Sequence, residues 1–130
     1  MSIDLNRKSA LVSGGSRGMG RAIAVALAQH GADVAITSRG DGTEAAETGE
    51  IVRRHNRRFL SIKGDMASKM NCTAAVESTI EHFGGVDILV HNAGGPAPGS
   101  IADQGFEEAW SDAIDLHLTA ATYLIRSAHE

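Results

Sequence analysis

The chain has 130 residues, enough for one domain with a buried core, and 12 Lys and Arg against 16 Asp and Glu give it a formal net charge of −4. That balance excludes general affinity for nucleic acid or an anionic membrane surface, and no uninterrupted apolar stretch is long enough to span a bilayer. The one cysteine, Cys72, cannot close an internal disulfide, and Met1 to Lys8 has no apolar run, so a cytoplasmic location without a secretory signal is expected.

Strand and helix patterns alternate four times. Ala10–Ser13 reads as the first strand. Gly18–His30 reads as the first helix, with Met19, Ile23 and Leu27 at four-residue spacing and Gly31 placed to end it. Asp33–Ser38 is the second strand. Thr43–Asn56 is a helix in which Asp41 and Glu44 fit a capping box and Gly49 costs about 1 kcal/mol relative to alanine. Phe59–Lys63 is the third strand. The third helix sets Thr73, Val76, Ile80 and Phe83 on one face and closes at Gly84-Gly85. Val86–His91 is the fourth strand, apolar without alternation at Ile88-Leu89-Val90, which predicts burial on both faces. A long helix, Gln104 to Ala128, carries the stripe Phe106, Trp110, Ala113, Ala120 and Leu124, with His117 at the same spacing.

Alternating βα units predict an α/β fold, a parallel sheet with helices on both faces. Right-handed crossovers make it a Rossmann-type doubly wound sheet of four strands in the order 3-2-1-4. Ligand is then expected at the carboxyl ends of strands one and four, where the winding reverses.

The run Ser13-Gly14-Gly15-Ser16-Arg17-Gly18-Met19-Gly20 joins the first strand to the first helix. Glycines let a phosphate approach the main chain, and the helix start offers it unpaired N–H groups and a positive dipole end. The spacing is Gly14-x-x-x-Gly18-x-Gly20, not the strict G-x-G-x-x-G, and no Gly-Lys-Ser/Thr follows, which excludes a kinase-type phosphate loop. Strand two ends in Ser38-Arg39. An acidic residue there suits the ribose 2′-hydroxyl of NAD, whereas arginine suits a 2′-phosphate. Arg39, with Arg17 as a second cation, favours NADP(H). The alternatives are that both arginines are solvated surface charges, or that Asp41 serves NAD(H).

With these residues in view the chain resembles the N-terminal half of a short-chain dehydrogenase/reductase. The family's Thr-Gly-x-x-x-Gly-x-Gly is matched from Ser13 to Gly20 with serine for threonine, its Asn-Ala-Gly by Asn92-Ala93-Gly94, and its aspartate after strand three by Asp65. Within the family the chain is most similar to the 3-oxoacyl-carrier-protein reductase type. The resemblance implies Asp65 and Met66 near adenine, and Asn92, Ala93 and Gly94 near the adenosine ribose. It also implies hydride transfer with a carbonyl or alcohol substrate, and a homo-oligomer built through the long helix.

The chain departs from the family in three places. His91 stands where an asparagine usually precedes Asn92. His117, in Asp115-Leu116-His117-Leu118, occupies the position of a catalytic asparagine that helps hold a water in the proton relay. It can replace that residue, or pack as a helix-face histidine. The family's catalytic serine and Tyr-x-x-x-Lys have no counterpart: the one tyrosine is Tyr123, residue 127 is serine, and none of Lys8, Lys63 and Lys69 has a tyrosine four residues earlier. The chain is therefore expected to stop before strand five and the catalytic helix.

Two functional readings follow. One is the cofactor-binding half of an oxidoreductase, and the other an inactive dinucleotide-binding module or remnant. The exposed strand-four edge predicts self-association. The loop Gly95–Gly99 borders a substrate opening or merely connects, and the substrate is not legible. No histidine or cysteine spacing suits a metal. Cys72 near a helix start has either a lowered thiol pKa or an ordinary packing role. Arg53, Arg54, Arg57 and Arg58 are a solvated helix end or a binding patch.

Overall fold

The computed structural model describes residues 2–94 and 99–129. The elements are β1 (Ser9–Ser13), α1 (Gly18–Gln29), β2 (Asp33–Ser38), α2 (Thr43–Arg54), β3 (Phe59–Lys63), α3 (Lys69–Phe83), β4 (Ile88–His91), α4 (Phe106–Ile114), a π-helical turn (Asp115–Thr119) and α5 (Ala120–Ala128). The described strands form one parallel sheet in the order β3-β2-β1-β4. This is the expected doubly wound arrangement.

Side chains alternate across the sheet and sort into two layers. Leu11 and Ala35 face Cys72, Ala75 and Val76 of α3 and Ala120 and Leu124 of α5. Val12, Val34 and Ile36 face Ala24 and Ala28 of α1 and Ala45 and Val52 of α2. β1 is buried along its whole length because it has a strand on each side and helices on each face. Leu11, Val12, Val34, Ile36, Val52 and Val76 are fully buried, worth about 1.5–3 kcal/mol each.

The helix faces differ from the sequence pattern. In α1 the buried residues are Gly20, Ala24 and Ala28, while Met19 is 74% exposed. The helix lies close against the sheet, so its inner face takes the smallest residues rather than the most apolar ones. In α3 the buried set is Cys72, Ala75, Val76 and Thr79, and Ile80 is exposed. The proposed capping box is not formed. Gly42 is the N-cap of α2, and Asp41 instead accepts the Thr43 N–H at 2.9 Å. Gly49 has a packing reason: a Cβ there would lie 2.6 Å from the Phe59 ring.

The long helix begins at Phe106, after a turn in which Asp103 accepts the Ser100 and Phe106 amides, rather than at Gln104. Its single stripe does not survive, because the π-helical turn inserts a residue and shifts the helical phase. Ala120 and Leu124 are buried, whereas Trp110, Leu118 and Ile125 are exposed. β4 is half-buried rather than covered, since among the described residues only β1 pairs with it. Val86 and Asp87 precede it: the Asp87 carboxylate accepts the Ser9 N–H at 2.9 Å and seats the start of β1.

Candidate functional site

A cleft of about 870 Å³ opens at the carboxyl ends of β1 and β4. Gly14, Ser16, Arg17 and Gly18 line it from the glycine loop, Ser38 and Arg39 from the end of β2, and Met66 from the segment after β3. Asn92, Ala93 and Gly94 line it after β4, and His117 from the π-helical turn. The sequence-predicted residues thus converge, with three exceptions. Met19 points to solvent, Gly20 is buried behind the loop, and Asp65 stands at the rim beside Arg39.

The loop is shaped by close approach. A Cβ on Gly20 would overlap the Gly14 carbonyl oxygen and lie 2.6 Å from Asn92 Nδ2. Gly18 is different: its φ of +57° is left-handed, and a Cβ would meet nothing within 4 Å, only the open cleft. The Thr37 hydroxyl and carbonyl accept the Gly14 and Gly15 amides, both at 3.2 Å, and Asn92 Nδ2 donates to the Gly14 carbonyl at 3.1 Å. The first turn of α1 holds no acidic residue, and Arg17 at its N-cap makes no side-chain cap bond. Its positive end is left for an anion.

A clamp behind the loop escaped the sequence reading. Arg21 Nη2 donates to the Ser16 carbonyl at 2.7 Å, to the Glu44 carbonyl at 2.9 Å and to the Glu47 carboxylate at 3.1 Å. Arg21 Nε donates to the Thr48 hydroxyl at 3.0 Å, and that hydroxyl sits 3.0–3.1 Å from the Ser16 and Gly15 carbonyls. The signal was a polar Thr48 on the same face as Ala45, Gly49 and Val52. Thr37, Gly40, Glu44, Gly64 and Leu116 also line the cleft without having been singled out.

The ends of β1 and β4 are joined through one hydroxyl. Ser13 Oγ accepts the Asn92 N–H at 2.9 Å and the Ala93 N–H at 3.0 Å, and lies 2.8 Å from His91 Nδ1. His91 Nε2 reaches the Leu116 carbonyl at 2.9 Å. His117 stands over Gly94, where a Cβ would lie 2.6 Å from its Cε1. Only a residue without a side chain leaves that ring its place.

Two cations face the mouth, each with an acidic neighbour. Arg17 lies 4.0 Å from Glu44 and Arg39 lies 3.8 Å from Asp65, all substantially exposed. Such exposed pairs contribute little to stability. The Thr43 amide, then its hydroxyl, holds the Asp41 carboxyl below the usual range.

The other candidates resolve into structure. Burial, then the Asp65 charge, pushes the Cys72 thiol up, and its S–H points at the Met66 carbonyl at 3.1 Å, so the packing role holds and the lowered pKa does not. Arg58 pairs with Asp33 at 2.9 Å, Arg54 with Glu50 at 3.6 Å, Arg53 covers the Phe59 ring and Arg57 bonds the Gly31 carbonyl. Each of these arginines has a local partner, and Arg54 and Arg58 stay substantially exposed. Tyr123 packs on the α3–α5 layer with Lys69 Nζ 5.7 Å from its ring centroid. Among the described residues no three His, Cys, Asp or Glu side chains gather as a metal site, and no helix is long and apolar enough to cross a membrane. Gly95 to Pro98 of the loop Gly95–Gly99 lie outside the described residues.

Comparison with known proteins matches residues 8–130 to a family model described as short chain dehydrogenase. General stress protein 39 of Bacillus subtilis is 44% identical over 94 residues, 72% of this chain and 33% of its own length. A 3-oxoacyl-[acyl-carrier-protein] reductase of Staphylococcus aureus is 33% identical over 121 residues, 93% of this chain and 49% of its own. Among solved structures, a short chain dehydrogenase of Burkholderia cenocepacia in complex with NADP superposes with a TM-score of 0.91 at 38% identity, covering 96% of this chain and 51% of that one. The chain thus spans between a third and about half the length of these relatives.

Proposed function

The chain belongs to the short-chain dehydrogenase family, and from that premise we propose that it is the NADP(H)-binding half of an oxidoreductase acting on a carbonyl or alcohol. The observation that carries this reading is the pair Arg17 and Arg39 at the mouth of a cleft whose floor is the glycine loop. The residues present fit the cofactor. The open space at Gly18 leaves the main chain accessible to a pyrophosphate at the α1 N-terminus. The two guanidiniums suit a 2′-phosphate better than a ribose hydroxyl. Asp65 and Met66 would hold the adenine end, and Ser38 with Asn92, Ala93 and Gly94 the adenosine ribose. Ser16, Met19 and Gly20 complete the loop, Gly20 from behind.

A bound nicotinamide dinucleotide would supply hydride transfer with the substrate carbon. His117 stands over Gly94 on the cleft wall, where it would help hold a water of the proton relay. The family's serine and Tyr-x-x-x-Lys, which would complete the proton transfer, have no counterpart in this sequence. The protein is read as cytoplasmic, and its partner is a second copy on the exposed side of the long helix, at Trp110, Leu118 and Ile125.

A second reading, a dinucleotide-binding module without turnover, is favoured by Tyr123, which packs against α3 away from the cleft. Titrating NADPH and NADH by fluorescence tests both. NADPH is expected to bind about tenfold tighter, and Arg39→Ala to remove the difference. Equal affinity for both in the unmodified chain overturns the preference, and no binding of either overturns the cofactor site. Turnover of carbonyls without added protein would exclude the inactive module.

A further inference from the structure

His91 bridges two parts of the cleft wall that no helix or strand bond connects. It ends β4 beside Ser13 at the end of β1. Its Nδ1 is 2.8 Å from the Ser13 hydroxyl, and its Nε2 is 2.9 Å from the carbonyl of Leu116 inside the π-helical turn. The donors can be assigned by elimination. Ser13 Oγ already accepts two amides, from Asn92 and Ala93. A hydroxyl has two lone pairs and one proton, so the remaining proton goes to His91 Nδ1. A carbonyl only accepts, so the ring proton sits on Nε2. One arrangement satisfies every atom: a neutral imidazole protonated at Nε2.

We infer that His91 is a positioning residue that locks the π-helical turn to the Asn92-Ala93-Gly94 segment. Through Ser13 it fixes the Asn92 and Ala93 amides. Through Leu116 it fixes the turn that carries His117. The two attachments together set how far the His117 ring stands from Gly94. A side chain in this place must accept at one end and donate at the other. Glutamine meets that demand on a single amide, whereas phenylalanine fills the space and meets neither half. The lock belongs to the chain alone, and only what fills the cleft rests on the dinucleotide reading.

The test uses the whole chain, labelled with ¹⁵N-histidine for NMR, with no ligand added. His91 is expected as a single neutral tautomer protonated at Nε2, and a proton on Nδ1 overturns the inference. Amide hydrogen exchange is then compared in His91→Phe and His91→Gln. With two hydrogen bonds lost, exchange at Asn92, Ala93 and the π-helical turn is expected to rise about tenfold or more in His91→Phe and to return close to the original in His91→Gln. Unchanged exchange in His91→Phe, or no rescue by Gln, also overturns it. Should His91→Phe not fold, the tautomer in the unmodified chain still decides. NADPH titration of the same proteins separates the two proposals: a correct tautomer and rescue without any NADPH binding sinks the cofactor reading and leaves the lock standing.

Discussion

Replacing Gly20 and Gly18 by alanine separates the two jobs of the glycine loop. At Gly20 the new methyl overlaps the Gly14 carbonyl and lies 2.6 Å from Asn92 Nδ2. The first neighbour is backbone, pinned at its amide to Thr37, so it cannot move aside cheaply. Overpacking of this kind costs about 1–3 kcal/mol. Displacing Asn92 from its 3.1 Å bond to Gly14 adds about 1 kcal/mol. Alanine in a helix returns about 1 kcal/mol, so the net loss is about 1–3 kcal/mol. At Gly18 nothing lies within 4 Å, and the cost is the left-handed φ of +57°, about 1–2 kcal/mol, with no helix-propensity return because that φ is not helical. Both variants should therefore lower the urea midpoint, followed by far-UV circular dichroism, Gly20→Ala by at least as much as Gly18→Ala. In an NADPH titration Gly18→Ala should still weaken binding, because its methyl enters the cleft. A Gly20→Ala midpoint equal to the original, or a larger loss of stability at Gly18 than at Gly20, would refute the reasoning.

Gly49→Ala should destabilise by up to about 2 kcal/mol despite the better helix propensity, because its methyl strikes the Phe59 ring; a raised melting temperature would contradict this. Arg21→Ala removes the clamp on the Ser16 carbonyl and should weaken NADPH binding more than it lowers the urea midpoint, with equal effects counting against a clamp role. Cys72 should alkylate with iodoacetamide far more slowly in the fold than in urea, since its thiol is raised by burial and then by Asp65. The sign follows: this thiol's contribution is fully present below the ordinary thiol range and is lost as pH rises through the raised value, so Cys72→Ala should flatten the decline in stability at alkaline pH.

The strand order and the convergence of Gly14, Arg39 and Asn92 were legible because the rules behind them are local or topological. A strand, a glycine turn and a helix are written within twenty consecutive residues, and right-handed crossovers do the rest. What escaped was set by tertiary distance. Met19 scores as the apolar residue of α1, but the spacing between helix and sheet admits only Gly20, Ala24 and Ala28. The π-helical turn leaves Phe106 to Leu124 looking like one stripe, because an inserted residue is invisible to a fixed period. Arg21 and Thr48 read as ordinary helix residues until α2 is laid behind the loop.

The bond from Asn92 to Gly14 spans 78 residues, and those from Asn92 and Ala93 to Ser13 span 79 and 80. β1 meets β2 across a far shorter stretch, Leu11 beside Ala35. Closing the longer loop costs about 1 kcal/mol more in chain entropy, at about 0.6 kcal/mol per doubling. The three-stranded part can therefore nucleate from nearby segments, while the cradle completes only when β4 docks. Competence for a ligand then requires β4 to dock, and a ligand held by both the glycine loop and Asn92-Ala93-Gly94 staples segments 80 residues apart.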